Sequence, residues 1–316
     1  MFRKLIDSIL YRRSRRREEK AVAESVEKLV RHKCPNLIMT PRNRRVLMDA
    51  MDAAISHISA WMDAIPGPVL LSPARWDAEP VVNALFVGSD AVRETIENSR
   101  NLLSWFKQSG EKSAVALLSA VWQEKTAFGT AQEGRIIRRD VLQKSVSFDN
   151  HQLLAPAASM RAARAELETR VLVALCGQAF AQTQDLKKWR EELEAQRQLL
   201  QFKYGTAGSA AGTRLLAETA PEAARVLQEI NRKLGSIKTE LGTSESNFRY
   251  MIGILSRPQD FFSSQRLTLR LNRMGIVVNG RADATTNEFP LVRYQVGQTP
   301  PRAAVWVNVA NPLSAS

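Results

Sequence analysis

The residues that could carry acid–base, nucleophilic or metal-binding chemistry are few and far apart. The chain has three histidines and two cysteines, which are His32, His57, His151, Cys34 and Cys176. No histidine pair has the H-x-x-x-H or H-E-x-x-H spacing of a metal site, and the two cysteines form neither a zinc motif nor a disulfide framework. We therefore predict no metal ion, no cofactor and a reducing compartment.

One catalytic arrangement can still be assembled from the sequence. Asp140, Asp149 and His151 are close along the chain and could act as a base. Cys176 would then be the nucleophile. However, Asp149-Asn150 is typical of a turn, and Cys176 lies in an apolar helical pattern, where a buried and unreactive thiol is the usual situation. We predict no catalytic residues and favour a protein without enzymatic activity, with an enzyme of unrecognised site as one alternative.

The stretch GTAGSAAGT at 205–213 invites comparison with a phosphate-binding loop. Its glycines are not followed by the lysine of a Walker loop, no predicted strand precedes them, and the spacing of a dinucleotide-binding fingerprint is absent. A flexible reversal between two helices accounts for this stretch better.

The main indication of function lies at the N-terminus. The net charge of the chain is +13, and residues 1–45 contain 14 Lys/Arg against 5 Asp/Glu, so they alone carry +9. Apolar residues between positions 2 and 10 share one helical face, and five arginines follow between positions 12 and 17. An apolar face and a polybasic run are the two signals that peripheral membrane attachment usually requires. The predicted contacts with an anionic membrane surface, or another polyanion, are Phe2, Leu5, Ile6, Ile9, Leu10, Arg12, Arg13, Arg15, Arg16 and Arg17.

The same N-terminal segment allows two alternatives to membrane attachment. The apolar face could pack on the protein's own body, or the arginines could bind nucleic acid, since phosphates also attract clustered cations. Tyr11 is the only ring inside the arginine-rich run, whereas binding of single strands usually needs aromatic platforms. The C-terminal region adds further arginines, namely Arg266, Arg270, Arg273, Arg281, Arg293 and Arg302.

The sequence lacks the apolar core of a secretory signal, because Arg3, Lys4 and Asp7 interrupt it. The best apolar run, at 171–180, is shorter than the roughly 18 residues of a membrane span. We predict a cytoplasmic protein, with the cytoplasmic face of a membrane as its place of attachment.

Apolar periodicity predicts the elements that follow the basic segment 1–20. In the helical region 21–110, Thr40-Pro41 has the form of a helix start, and apolar residues then recur at three- and four-residue spacing. In 111–156, β-branched residues increase on both sides of TAQEG, which predicts a β-hairpin. In 261–316, RLTLRLN and VWVNV alternate as strands do, and these strands could share a sheet with 111–156.

Region 157–260 is predicted to be a helical arm. Leucine and isoleucine repeat at spacings of 3, 4, 3 and 4 in its second half, and the preceding helix has a similar pattern. We therefore predict an antiparallel coiled-coil hairpin, available to a protein partner or to a second copy of the chain. The predicted seam residues are Leu186, Trp189, Leu193, Leu200, Leu227, Ile230, Leu234, Ile237 and Leu241.

Together these elements predict an α+β fold that is predominantly α-helical, with helical bundle elements, a long antiparallel coiled-coil hairpin and a small mixed or antiparallel β-sheet. The expected function is that of a non-enzymatic interaction or scaffold protein held on an anionic membrane surface by its basic N-terminus. A nucleic-acid-binding protein that uses the same N-terminus is the other alternative.

Overall fold

The computed structural model describes residues 28, 30, 37–133, 136–204, 220–240, 244–272, 275–278 and 286–315. The chain divides into two compact units. The described parts of Met1–Ala53 and Leu172–Ser256 form the first unit, and those of Ala54–Val171 and Arg257–Ser316 form the second.

Helix α1 spans Pro41–Ala64. Proline suits the first helical position because its missing N–H would have no partner there, and the Thr40 Oγ1 accepts a hydrogen bond from the Asn43 N–H at 3.1 Å. The helix predicted from Thr40-Pro41 is therefore confirmed. Its buried apolar side chains recur at helical spacing and are Leu47, Met51, Ala54, Ile58, Trp61 and Met62.

Three short helices lie in the second unit: α2 (Pro80–Leu85), α3 (Ser89–Glu97) and α4 (Arg100–Ser109). Helix α4 ends at Gly110, which has a φ of 68° and whose N–H bonds to the Phe106 carbonyl. The first unit contains most of α5 (Met160–Lys203), followed by α6 (Pro221–Glu240) and α7 (Ser244–Ser256).

A large curled sheet of six strands forms the body of the second unit. The strands are β1 (Val69–Leu71), β2 (Ser113–Glu133), β3 (Ile136–Ala157), β4 (Phe262–Leu271), β5 (Asn287–Val296) and β6 (Arg302–Ala310). Their order is β3-β2-β6-β5-β4, with antiparallel pairing, and β1 pairs with β6 in parallel.

Strand β6 is the central strand of this sheet. Val305, Trp306 and Val307 are all buried although they point alternately to the two faces. A near-continuous apolar run is typical of a strand that is covered on both sides. One face belongs to a core that also contains the buried side chains of α2, α3 and α4, among them Val82, Leu85, Val92, Ile96, Leu102 and Phe106.

The predominance of helix is as predicted, but the prediction of a small sheet is wrong. Strands β2 and β3 contain 21 and 22 residues and form one long antiparallel pair. The hairpin predicted in 111–156 is present, but its strands are far longer than the average of about 5–6 residues, which makes the sheet larger than predicted. Register shifts after Val115, Ser119 and Gly129 also interrupt the alternation of side chains, which hides the length of β2.

The predicted antiparallel coiled-coil hairpin is also wrong. A coiled coil needs a regular seam on both helices, but α5 is a continuous helix of 44 residues and Trp189 in it is 42% exposed. The buried contact with α6 is a small cluster of Leu193, Ile230, Leu234 and Ile237, with Leu186 and Leu200 partly buried against it. Leu227 belongs to a separate small cluster with Ala223. Leu241 and the loop at 205–219 lie outside the described residues.

Candidate functional site

The predicted N-terminal contact residues, Phe2 to Arg17, lie outside the described residues. The described segment 37–48 is similar to them in composition. It also carries cationic and apolar side chains, and several of these are exposed to solvent. Helix α1 has no acidic residue in its first turn, where a carboxylate would favour the helix dipole. The exposed side chains of this segment include Ile38, Arg42, Arg45, Val46 and Met48.

Two C-terminal arginines are engaged by acidic partners in the second unit. Arg270 on β4 forms a two-pronged pair with Glu288 on β5, with its Nε 2.9 Å from Oε2. The Arg293 guanidinium lies 5.4 Å from the centre of the Trp122 ring, and its Nη1 is 3.4 Å from Glu124. Both arginines therefore have partners within the protein, whereas the nucleic-acid alternative would have them bind phosphate.

Glu124 is the centre of the charged group on this face of the sheet. The Lys144 ammonium lies 2.6 Å from its Oε2, and the Trp122 indole N–H donates to its Oε1 at 2.8 Å. The Lys144 hydrogen bond is the main reason that the pKa of Glu124 lies below its usual value. The Glu124 carboxylate is thus paired with side chains of the sheet, which indicates a structural role.

Arg302 joins a buried polar network on the sheet. Its Nε donates to the Ser119 Oγ at 2.7 Å, and its Nη2 donates to the Ser119 and Asn150 carbonyls at 3.1 and 2.8 Å. The Tyr294 hydroxyl lies 2.7 Å from the Ser119 Oγ, and burial raises the pKa of Tyr294. Ser119 is fully buried, whereas Arg302 is partly exposed, so the network reaches from the interior of the sheet to its surface. Of the other predicted arginines, Arg266 is exposed, and Arg273 and Arg281 lie outside the described residues.

A cleft of about 650 Å³ opens in the second unit beside α2 and β3. Its apolar wall includes Phe86 and Phe148, and the Trp76 indole N–H donates to the Phe86 carbonyl at 3.0 Å. Asp77 and Asp149 lie at the cleft with exposed side chains. No histidine or cysteine is among its described lining residues, so those residues supply a concave shape and two acidic groups.

The catalytic arrangement considered from the sequence requires a reactive thiol at Cys176, and the structure does not provide one. Cys176 is buried, and burial raises the pKa of its thiol to about 12, so the thiolate is scarce at neutral pH. The His151 Nε2 lies 2.8 Å from the Leu85 carbonyl, and the ring stacks on Phe86 with a centroid distance of 4.1 Å. Because a carbonyl can only accept, Nε2 donates, and His151 acts as a packing and hydrogen-bonding residue.

Two further findings concern metal ligands and membrane-spanning helices. Across the described residues, no three or more His, Cys, Asp and Glu side chains come together as metal ligands would. None of the helices in the described segments combines the length and the apolarity needed to cross a bilayer.

An exposed apolar pair on the β2–β3 hairpin was not predicted from the sequence. Phe128 and Leu142 lie directly opposite each other and are 74% and 64% exposed. By strand register, both lie on the face that also carries the buried residues Trp122 and Phe148. On β2, Glu124 and Thr126 lie between Trp122 and Phe128 on this face, so the sequence shows no apolar alternation there, and the point at which the covering core ends was not visible in it either.

The chain was compared with known proteins in three ways. No family model, no curated protein and no solved structure matches it. Its function is therefore inferred from its own residues.

Proposed function

We propose that this chain is a non-enzymatic interaction protein that attaches peripherally to an anionic membrane surface through its basic N-terminal segment. The observation that carries the proposal is the concentration of charge, since residues 1–45 account for +9 of the net +13. Apolar residues at helical spacing accompany these cations. Each Lys or Arg near an anionic surface contributes about 1 kcal/mol, and burial of the apolar face adds to this attraction.

The described residues support the proposal in two ways. The exposed arginines and apolar side chains of 37–48 extend the same composition into the start of α1. In contrast, Arg270, Arg293 and Arg302 are held by partners within the second unit. The basic N-terminal part is thus the better candidate for a polyanion contact than the C-terminal strands are.

Sedimentation with lipid vesicles tests the proposal. The full chain and a chain lacking residues 1–17 would be mixed with neutral phosphatidylcholine vesicles and with vesicles containing about 30% phosphatidylserine, a proportion that supplies the negative surface potential of an anionic leaflet. We expect the full chain to sediment with the anionic vesicles and the truncated chain to sediment much less. Equal sedimentation of both proteins would refute attachment through the N-terminus.

A charge-matched comparison separates a membrane-inserted face from a purely electrostatic tail. Ile6→Asp with Ile9→Asp places carboxylates on the apolar face while every arginine remains. Since these two changes also add two negative charges, Ser8→Asp with Ser14→Asp serves as the matched control. We expect the isoleucine variant to bind more weakly than this control, because only the former loses burial of apolar surface.

A further inference from the structure

The β2–β3 hairpin extends beyond the strands that flank it. On one side, β6 pairs with β2 only as far as Val121, and the Trp122 N–H then bonds to the Pro301 carbonyl at 2.8 Å. On the other side, a short segment bridges to β3 at Ser145 through Ile276. We call residues 125–133 and 136–144 the distal hairpin. In the described chain, β2 and β3 pair there only with each other, apart from the Val277 N–H bond to the Lys144 carbonyl at 2.8 Å.

The distal hairpin presents an apolar pair where the core no longer covers its face. Trp122 and Phe148 are buried cross-strand partners whose rings meet edge to face at 5.4 Å. The register then runs without a shift to Phe128 and Leu142, which therefore lie on the same face. These two are 74% and 64% exposed, so most of their apolar surface stays in water.

The sequence that carries this pair has a net positive charge, which favours an anionic partner. The sequence from Lys125 to Lys144 contains five Lys/Arg against two Asp/Glu, a net charge of +3. The Lys144 side chain is half exposed although it pairs with Glu124. A second copy of the chain also carries +13 and would be repelled at long range, whereas an anionic surface would be attracted.

We propose that the distal hairpin is a second membrane-contact element, in which Phe128 and Leu142 enter the interfacial layer of an anionic bilayer. The inference rests on the proposed attachment through the N-terminus and adds a second contact to it. Two weak contacts on one chain reinforce each other, because binding of the first raises the effective concentration of the second.

A set of serine variants in the full chain tests the hairpin contact. Phe128→Ser with Leu142→Ser removes the apolar pair without changing the charge. Phe202→Ser with Leu199→Ser is the matched control, because these α5 residues are also exposed, at 89% and 69%. Against vesicles containing phosphatidylserine, we expect the hairpin variant to bind about tenfold more weakly and the control to stay within about twofold of the parent chain.

The Ile6→Asp with Ile9→Asp change, made alone and combined with the hairpin variant, separates the two proposals. Weakening by the hairpin variant in both backgrounds supports the hairpin contact. If only the N-terminal variant weakens binding, the hairpin contact is overturned and the N-terminal attachment stands. The reverse result, in which only the hairpin variant matters, overturns the N-terminal attachment. A parent chain that does not bind anionic vesicles overturns both.

A second experiment does not use the serine variant, so its result does not depend on whether that variant keeps its hairpin structure. It places a fluorescent reporter on the hairpin. Leu142→Cys in a Cys34→Ser background would carry an environment-sensitive dye, and Leu199→Cys would carry the same dye as the control. We expect the emission at position 142 to shift to shorter wavelength with anionic vesicles and the emission at 199 to stay unchanged. A dye at 142 that responds to protein concentration and not to vesicles would overturn the membrane contact in favour of self-association.

Discussion

Ser119→Ala tests the buried polar network that joins strands β2, β5 and β6. The Ser119 Oγ accepts from the Arg302 Nε at 2.7 Å and lies 2.7 Å from the Tyr294 hydroxyl. Alanine keeps the Cβ and removes only the oxygen, so the change leaves two polar groups with fewer partners. Arg302 keeps its bonds to two backbone carbonyls, whereas Tyr294 is buried and loses this hydrogen bond.

The expected cost follows from the two lost contacts. A buried group left without its partner costs about 1–3 kcal/mol, and a hydrogen bond to a charged group contributes about 1.5–3 kcal/mol, less here because Arg302 is partly exposed. We therefore expect Ser119→Ala to lower the free energy of unfolding by about 2–4 kcal/mol. Ser145→Ala is the control, since its hydroxyl donates at 3.3 Å at the exposed hairpin surface, and it should cost less than about 1 kcal/mol.

Urea denaturation followed by tryptophan fluorescence would measure both changes. The double variant Ser119→Ala with Tyr294→Phe should cost less than the sum of the single variants, because it removes both ends of one hydrogen bond. A Ser119→Ala protein as stable as the Ser145→Ala control would refute the reasoning. Strict additivity in the double variant would show that the two hydroxyls do not interact.

Two further predictions concern packing and pH. Gly67 has a φ of +110°, and a Cβ there would overlap the Trp306 carbonyl, so Gly67→Ala should destabilise the fold by about 2–5 kcal/mol in urea denaturation. Gly88→Ala is its control, because no atom lies within 4 Å of the added Cβ; a similar loss in both variants would contradict the argument. Burial lowers the pKa of His151 below 6.5, so its contribution to stability is present above pH 6.5 and is lost as the pH falls through the lowered pKa. His151→Gln should reduce the loss of stability between about pH 7.5 and 5, and an unchanged pH profile in denaturation experiments would contradict this assignment.

Local signals predicted single helices better than they predicted the architecture. The Thr40-Pro41 start of α1 was visible because a capping residue and a proline act over a few residues. The repeat through Ile230, Leu234 and Ile237 correctly marked one apolar face of a helix. Its extension to a coiled coil failed, because the sequence of α5 did not reveal that Trp189 lies partly in solvent.

The sheet and its polar network depend on contacts between distant parts of the chain. Ser119 meets Ala304 across β2 and β6, and its hydroxyl meets Tyr294, at a separation of 175 residues. No local spacing encodes such pairs. Strand β1 has only three residues, Val69–Leu71, and its parallel pairing with β6 follows from the completed sheet. Similarly, Phe128 and Leu142 were recognised as a candidate surface only from the structure, which shows where the buried core ends along the hairpin.

A direct comparison of membrane and nucleic-acid binding tests the central claim. The full chain would be titrated, at one ionic strength, with vesicles containing phosphatidylserine, with duplex DNA and with single-stranded RNA. Because clustered cations attract all three polyanions, the Ile6→Asp with Ile9→Asp variant is measured beside the parent chain and the Ser8→Asp with Ser14→Asp control. We predict that the parent binds the vesicles most tightly and that the isoleucine variant loses this preference relative to its control. Tighter binding to either nucleic acid, with the isoleucine variant equal to its control, would contradict attachment to a membrane.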